Sequence, residues 1–143
     1  MLIKHIKDID TEDEYIKIKP EETVFEVSKK LIKEDSQDLN SSDTMYTPVL
    51  AAYVMEGEKP IGIVYREDII EEIILSGKDP KKTLSKDIMK PPITISINED
   101  VREALNLIID KGFMTIAACD GDKLVSVISV YDAIFLNAEI EDF

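Results

Sequence analysis

Two stretches of this 143-residue chain read alike, and that repetition constrains the fold more than any single motif does. The first is Tyr15 to Ile32, YIKIKPEETVFEVSKKLI, and the second is Pro92 to Ile109, PITISINEDVREALNLII. Each opens on a short alternating strand, with Ile16 and Ile18 in one and Ile93, Ile95 and Ile97 in the other. An acidic helix start follows, Glu21-Glu22-Thr23 or Asn98-Glu99-Asp100, where side-chain oxygens and negative charge suit the free amides of a first turn. Val24, Val27 and Leu31, and then Val101, Ala104, Leu105 and Ile108, give both copies an amphipathic helix.

The likeness continues. Val49 to Met55 is matched by Ile116 to Cys119, each leading into a turn, Glu56-Gly57-Glu58-Lys59 or Asp120-Gly121-Asp122-Lys123. Return strands Ile61 to Tyr65 and Leu124 to Ser129 complete two β-hairpins, with glycine supplying the turn conformation. Each return strand runs into a helix with an aspartate at its start, GIVYREDIIEEII and SVISVYDAIFL. The predicted order is strand, helix, strand, strand, helix, twice over. The copies are 77 residues apart at Ile16 and Ile93 but 64 apart at Asp68 and Asp132, so the first carries about thirteen extra residues. The polar run Asp35 to Thr44, DSQDLNSSDT, is predicted to be a surface loop that holds them. Between the copies lie Ser76-Gly77-Lys78-Asp79-Pro80 and a short segment ending in Pro91-Pro92, whose prolines dictate an extended connection.

Composition narrows the function. Thirty acidic against seventeen basic residues give a net charge of −13, a surface that repels phosphate backbones, so no nucleic-acid partner is expected. No apolar run approaches the roughly 20 residues that span a bilayer, the start MLIKHIKDID lacks a signal-peptide core, and the single Cys119 suits a reducing, cytoplasmic setting. One histidine, His5, in a charged leader and one distant cysteine offer no nucleophile–base pair, and no phosphate-cradling glycine loop, zinc set or nucleophile elbow is present. No catalytic residues and no metal ligands are therefore assigned.

These residues resemble the CBS domains, named after cystathionine β-synthase, which occur in tandem as Bateman modules. Asp87-Ile88-Met89-Lys90-Pro91-Pro92-Ile93-Thr94-Ile95 looks like the family's opening, and Ser126-Val127-Ile128-Ser129-Val130-Tyr131-Asp132 like its closing motif of glycine, two apolar residues, a hydroxyl residue, two variable residues and aspartate. Gly62-Ile63-Val64-Tyr65-Arg66-Glu67-Asp68 keeps the glycine and aspartate in the first copy. The resemblance implies an α+β fold of two β-α-β-β-α repeats packed in a pseudo-twofold arrangement as one Bateman module. The first repeat is expected at 8–76 with its insertion near 35–47, a linker at 77–91, and the second repeat at 92–140.

In that family the motif aspartate commonly accepts from the two ribose hydroxyls of an adenosyl ligand, and the hydroxyl three residues earlier touches phosphate. A carboxylate facing a diol, beside amides at a helix start, is reasonable chemistry for such a ligand. The resemblance thus implies one site at Asp132 and Ser129 with Ile16 and the region of Tyr46, and another at Asp68 with Pro92, Ile93, Met114 and Thr115. Tyr65 stands where the second site should have a small hydroxyl, its ring either blocking phosphate or stacking on a base, and Ser126 replaces the usual glycine. No cofactor is required; AMP, ADP, ATP and S-adenosylmethionine are the candidate ligands.

Bland roles stand beside these. Asp68 and Asp132 each lie where a helix begins, and a cap worth about 0.5–2 kcal/mol is reason enough for an aspartate there. Helix faces Ile69-Ile70, Ile73-Ile74-Leu75 and Ala133-Ile134-Phe135-Leu136 exceed one buried stripe, and the resemblance implies a homodimer formed through them. With no effector domain in this sequence, an effector protein in trans would read the ligand. Two alternatives differ in class: a structural dimer module with degenerate sites, and a divalent-cation sensor using Asp8, Asp10, Glu12, Asp13 and Glu14.

Overall fold

A computed structural model of the chain describes residues 5–9, 15–39 and 49–141. The first repeat comprises β1 (Tyr15–Ile18), α1 (Val24–Leu39), β2 (Ala51–Glu56), β3 (Lys59–Tyr65) and α2 (Arg66–Ile69), which continues as a π-helical turn at Ile70–Leu75. A short α3 (Ser85–Ile88) leads to the second repeat: β4 (Thr94–Ser96), α4 (Val101–Leu105) continuing as a π-helix at Asn106–Asp110, β5 (Thr115–Asp120), β6 (Lys123–Ser129) and α5 (Val130–Glu141). The α+β architecture and doubled strand–helix–strand–strand–helix order are those the repetition predicts.

The two sheets are built alike, in the order β1-β2-β3 and β4-β5-β6, each with a parallel first pair and an antiparallel second pair. Gly57 and Gly121 turn the two hairpins at φ 63° and 60°, a left-handed conformation that a Cβ disfavours. Even the register shift repeats: it falls between Val54 and Met55 in one hairpin and between Ala118 and Cys119 in the other. Helix α1 starts where Thr23 Oγ1 accepts the Glu26 N–H at 3.2 Å, and α4 where Asp100 accepts the Arg102 N–H at 2.8 Å.

The polar run read as a loop is in part helical. Helix α1 continues to Leu39, five residues into it, because Asp35, Ser36, Gln37 and Asp38 offer no proline or glycine to stop a helix already propagating. Residues 40–48, with Tyr46, lie outside the described part of the chain.

Two compact units result, Glu14–Pro92, and Met1–Asp13 together with Ile93–Phe143. The segment ahead of each repeat is thus built into the unit of the other repeat. Ser85 N–H donates to Glu22 C=O at 2.8 Å and Lys86 N–H to Pro20 C=O at 3.1 Å. In the other unit Ile6 N–H donates to Glu99 C=O and Lys7 N–H to Ile97 C=O, both at 3.0 Å. A bridge of Leu84 with Thr23 is likewise mirrored by one of His5 with Asp100. The charged leader therefore repeats the connecting segment, Lys7-Asp8-Ile9 against Lys86-Asp87-Ile88.

Each unit has its own core. Val24, Val27, Leu31, Ala52, Val54, Val64 and Ile88 fill the first, and Ile6, Val101, Ala104, Ile108, Ile116, Ala118 and Ile128 the second. Volumes are exchanged between matching positions. Val27, Ala52 and Val54 in one core correspond to Ala104, Ile116 and Ala118 in the other, so that each packs densely with different residues.

Candidate functional site

The motif aspartates occupy the same place in the two units, the third residue of the helix that follows the return strand, where a carboxylate reaches back to the free amide at the strand's end. In the second unit Asp132 Oδ2 accepts the Ser129 N–H at 2.9 Å and the Ser129 hydroxyl at 3.2 Å. Ser129 Oγ in turn accepts the Asp132 N–H at 3.2 Å. Both residues are buried, Ser129 completely. The expected pairing of Ser129 with Asp132 is thus a closed capping box. It is the bland role, fully met, and it also fixes the rotamers of the two side chains. Beside it, Met114 C=O accepts the Val130 N–H at 2.9 Å and Thr115 is the register partner of Ser129. Thr115 is buried and Met114 exposed.

In the first unit Asp68 Oδ2 accepts the Tyr65 N–H at 2.8 Å, the same bond as from Ser129. The carboxylate's other oxygen differs. Asp68 Oδ1 lies 2.7 Å from Lys90 Nζ, an ion pair between a side chain 4% exposed and one 60% exposed. This hydrogen bond and its charge hold the Lys90 ammonium above the ordinary lysine pKa. Lys90 is anchored as well: its N–H donates to Ile63 C=O at 2.9 Å, and its C=O accepts the Ile63 N–H at 2.8 Å. The connecting segment so lies along the outer edge of β3, and Met89 packs over Gly62. A Cβ on Gly62 would collide with the Met89 sulfur and stand 2.9 Å from the Met89 Cβ. The motif glycine thus has a packing reason of its own.

Sequence reading passed over Lys90 as part of a family-like opening; its spacing from Asp68 carries no signal until β3 and the connecting segment are paired. Of the remaining candidates, Pro92 ends the unit that holds Asp68, two residues beyond Lys90. Ile16 lies half-buried on β1 of that unit, and Ile93 packs against the core of the other, its C=O accepting the Ala117 N–H at 2.8 Å. Tyr46 lies outside the described residues. His5 is exposed, and no group of three or more acidic, histidine or cysteine side chains able to hold a metal occurs among the described residues. Of the acidic leader residues, Asp8 alone is described. No helix among the described residues is long and apolar enough to cross a membrane.

Comparison with known proteins gives this geometry a family context. The CBS domain model matches residues 6–75 and 85–139. An uncharacterized protein of Methanopyrus kandleri, MK0525, is 33% identical over 95 residues, which is 62% of this chain; the match spans 48% of that protein's length. Among solved structures, the CBS domain protein PAE2072 from Pyrobaculum aerophilum, complexed with AMP, superposes with a TM-score of 0.73 at 18% identity, covering 95% of this chain and 98% of that one. The CBS domain pair of protein MJ0100, in complex with 5′-methylthioadenosine and S-adenosyl-L-methionine, gives 0.71 at 18% identity over 96% and 98% of the two chains.

Proposed function

The chain belongs to the CBS domain family, and from that premise we propose that it is a non-catalytic regulatory module that senses an adenosyl ligand at Asp132 and Ser129. The observation that supports this reading is the difference between the two capping boxes. Ser129 and Asp132 are joined by three hydrogen bonds within the box, whereas Asp68 is held by the Tyr65 amide and by Lys90. Asp132 is thus the carboxylate assigned to the ribose diol, with Ser129 and the first amides of α5 toward phosphate. AMP, 5′-methylthioadenosine and S-adenosylmethionine, seen with the related structures, share the adenosyl group that such a site would read.

Binding would act by differential affinity for two arrangements of the protein, read through a homodimer or an effector protein. Exposed Ile70, Ile74 and Leu75 on the π-helical turn that continues α2, and Ile134 and Phe135 on α5, support the dimer. Calorimetry of ligand-stripped protein with AMP, ADP, ATP and S-adenosylmethionine tests the reading. Binding is expected in wild type and lost in Asp132→Asn, which keeps acceptors for the cap but removes the charge. Silence toward all four ligands overturns it. Silence with a stable dimer would favour the second reading, a structural module with degenerate sites, for which Tyr65 and the engaged Asp68 speak.

A further inference from the structure

We infer that the solvent-facing side of α1 in the first repeat is a docking surface for an acidic amphipathic segment of a partner protein. The inference stands apart from the adenosyl reading, because it uses neither motif aspartate. Phe25 and Ile32, seven residues apart and so on one side of the helix, are 37% and 62% exposed, large apolar groups that the core of their own unit leaves out. Two lysines from different segments converge on the Phe25 ring, Lys29 Nζ at 5.3 Å from its centroid and Lys81 Nζ at 5.0 Å. The backbone fixes where Lys81 starts. Phe25 N–H donates to Pro80 C=O at 3.0 Å, Val24 N–H to Thr83 C=O at 2.9 Å, and Lys81 N–H to the Asp79 carboxylate at 2.9 Å. Lys33 extends the positive band by one turn, and Lys29, Lys30, Ile32 and Lys33, with Glu26, line a groove of about 430 Å³. Lysine stems and Ile32 give that groove an apolar base, while the ammonium groups keep to water.

Charge sets the chemistry of the occupant. The chain carries a net −13, yet twelve of its seventeen basic residues lie in the unit Glu14–Pro92. Gathering Lys29, Lys33 and Lys81 along one apolar edge sets like charges near one another, a repulsion that a partner's carboxylates relieve. Phe25 and Ile32 call for apolar side chains between those carboxylates. A membrane or a nucleic acid is anionic over a wide surface and meets the repulsion of the whole chain, whereas a short acidic segment meets only the patch. The second repeat lacks the pattern. An offset of 77 residues sets Arg102, Asn106 and Asp110 where Phe25, Lys29 and Lys33 stand, with no aromatic ring and no excess of positive charge. The surface is therefore a feature of the first repeat, not of the shared fold.

The test is fluorescence anisotropy of the whole chain with a labelled synthetic peptide that carries leucines at helical spacing and glutamates between them. The same peptide with glutamine for glutamate is the comparison. Wild type should prefer the glutamate peptide by about tenfold, a preference that high salt removes. Lys29→Glu with Lys33→Glu should weaken binding by about tenfold and Lys81→Glu by about threefold; the exposed pair Lys59→Glu with Lys111→Glu, equal in net charge to the first, should change it by less than about twofold. Ile32→Ser should weaken both peptides alike, by about threefold. Equal losses in the two charge-reversed pairs would mean that only overall charge is sensed, and would overturn the docking surface. No binding, or equal affinity for both peptides, overturns it too. Binding to phosphatidylserine vesicles without binding to the peptide would make this face a membrane contact. A dimer that dissociates on sedimentation of Lys29→Glu with Lys33→Glu would make it a contact between copies, and either result replaces the partner segment. Should that pair unfold, as circular dichroism would reveal, Lys81→Glu lies outside the helix and must still show its loss.

Discussion

Replacing Ile6 with alanine tests whether the leader is a structural part of the second repeat. Ile6 is 1% exposed and belongs to the core formed by Val101, Ala104, Ile108, Ile116 and Ile128. Alanine removes three carbons. At roughly 0.8 kcal/mol for each buried methylene, the transfer contribution is about 2.4 kcal/mol. The space left behind adds to it, because Ala104 and Ala118 are too small to fill it and the strands beside them are held by their ladders. A total of about 3–4 kcal/mol is expected, a large part of the 5–15 kcal/mol that stabilises a typical domain. Ile109→Ala, on the π-helix that continues α4 and half-exposed, is the control and should change stability by no more than about 0.5 kcal/mol.

A ceiling sharpens the test. The measured loss cannot exceed the free energy that docks the leader, since beyond that limit the segment detaches while the rest of the unit stays folded. Urea unfolding followed by circular dichroism gives both stability and slope. A loss near 3 kcal/mol with unchanged slope means that the leader docks at least that strongly. A loss below about 1 kcal/mol, together with rapid hydrogen exchange at the Ile6 and Lys7 amides, would refute the claim that the leader belongs to this core.

Three further outcomes follow from the geometry. Gly62→Ala should destabilise by about 1–3 kcal/mol through overpacking, and a double-mutant cycle with Met89→Ala should recover part of that loss; additivity would show that the two residues do not meet. Because pairing with Asp68 raises the Lys90 pKa in the folded state, its stabilising contribution is complete below the unfolded lysine value of about 10.4 and is lost as pH rises through the folded one. The melting-temperature gap between wild type and Lys90→Met should then be flat from pH 7 to 9 and narrow at higher pH; a gap that widens there would refute the pair. Burial, and secondarily the negative charge of Asp122, pushes the Cys119 thiol above its usual pKa, so a thiol reagent at pH 8 should label native protein far more slowly than urea-unfolded protein.

Much of the fold was legible because the repetition is carried by local chemistry. The glycines at 57 and 121 mark turns, Thr23 and Asp100 mark helix starts, and the apolar spacing from Val24 and Val101 marks buried faces; each rule works within a few residues. The end of α1 failed for the same reason in reverse. Serines and aspartates signal a loop on average, but they do not stop a helix as proline or a left-handed glycine does. Non-local features were invisible. The leader looks like a charged tail until Ile6 is seen in the second core, and the likeness of Lys7-Asp8-Ile9 to Lys86-Asp87-Ile88 is too short to notice without the hydrogen bonds that both segments make.

The candidate site divides along the same line. That Ser129 and Asp132 form a unit was legible, since three residues separate them across a strand-to-helix junction, a spacing that local geometry turns into a box. The fate of Asp68 was not, because its partner lies 22 residues away on a segment that meets it only when Met89 and Lys90 run along β3. Repeats that share a backbone plan therefore need not share a chemical one. The capping box is the common inheritance of both aspartates and stabilises the helix start in either case. At Asp68 the remaining carboxylate oxygen meets Lys90, a group from outside the motif. In a paired-repeat module the segment ahead of a repeat is consequently as informative about the site as the motif itself. Here it pairs Asp68 with an internal lysine, and the Ser129–Asp132 box is the place at which a ligand is to be tested.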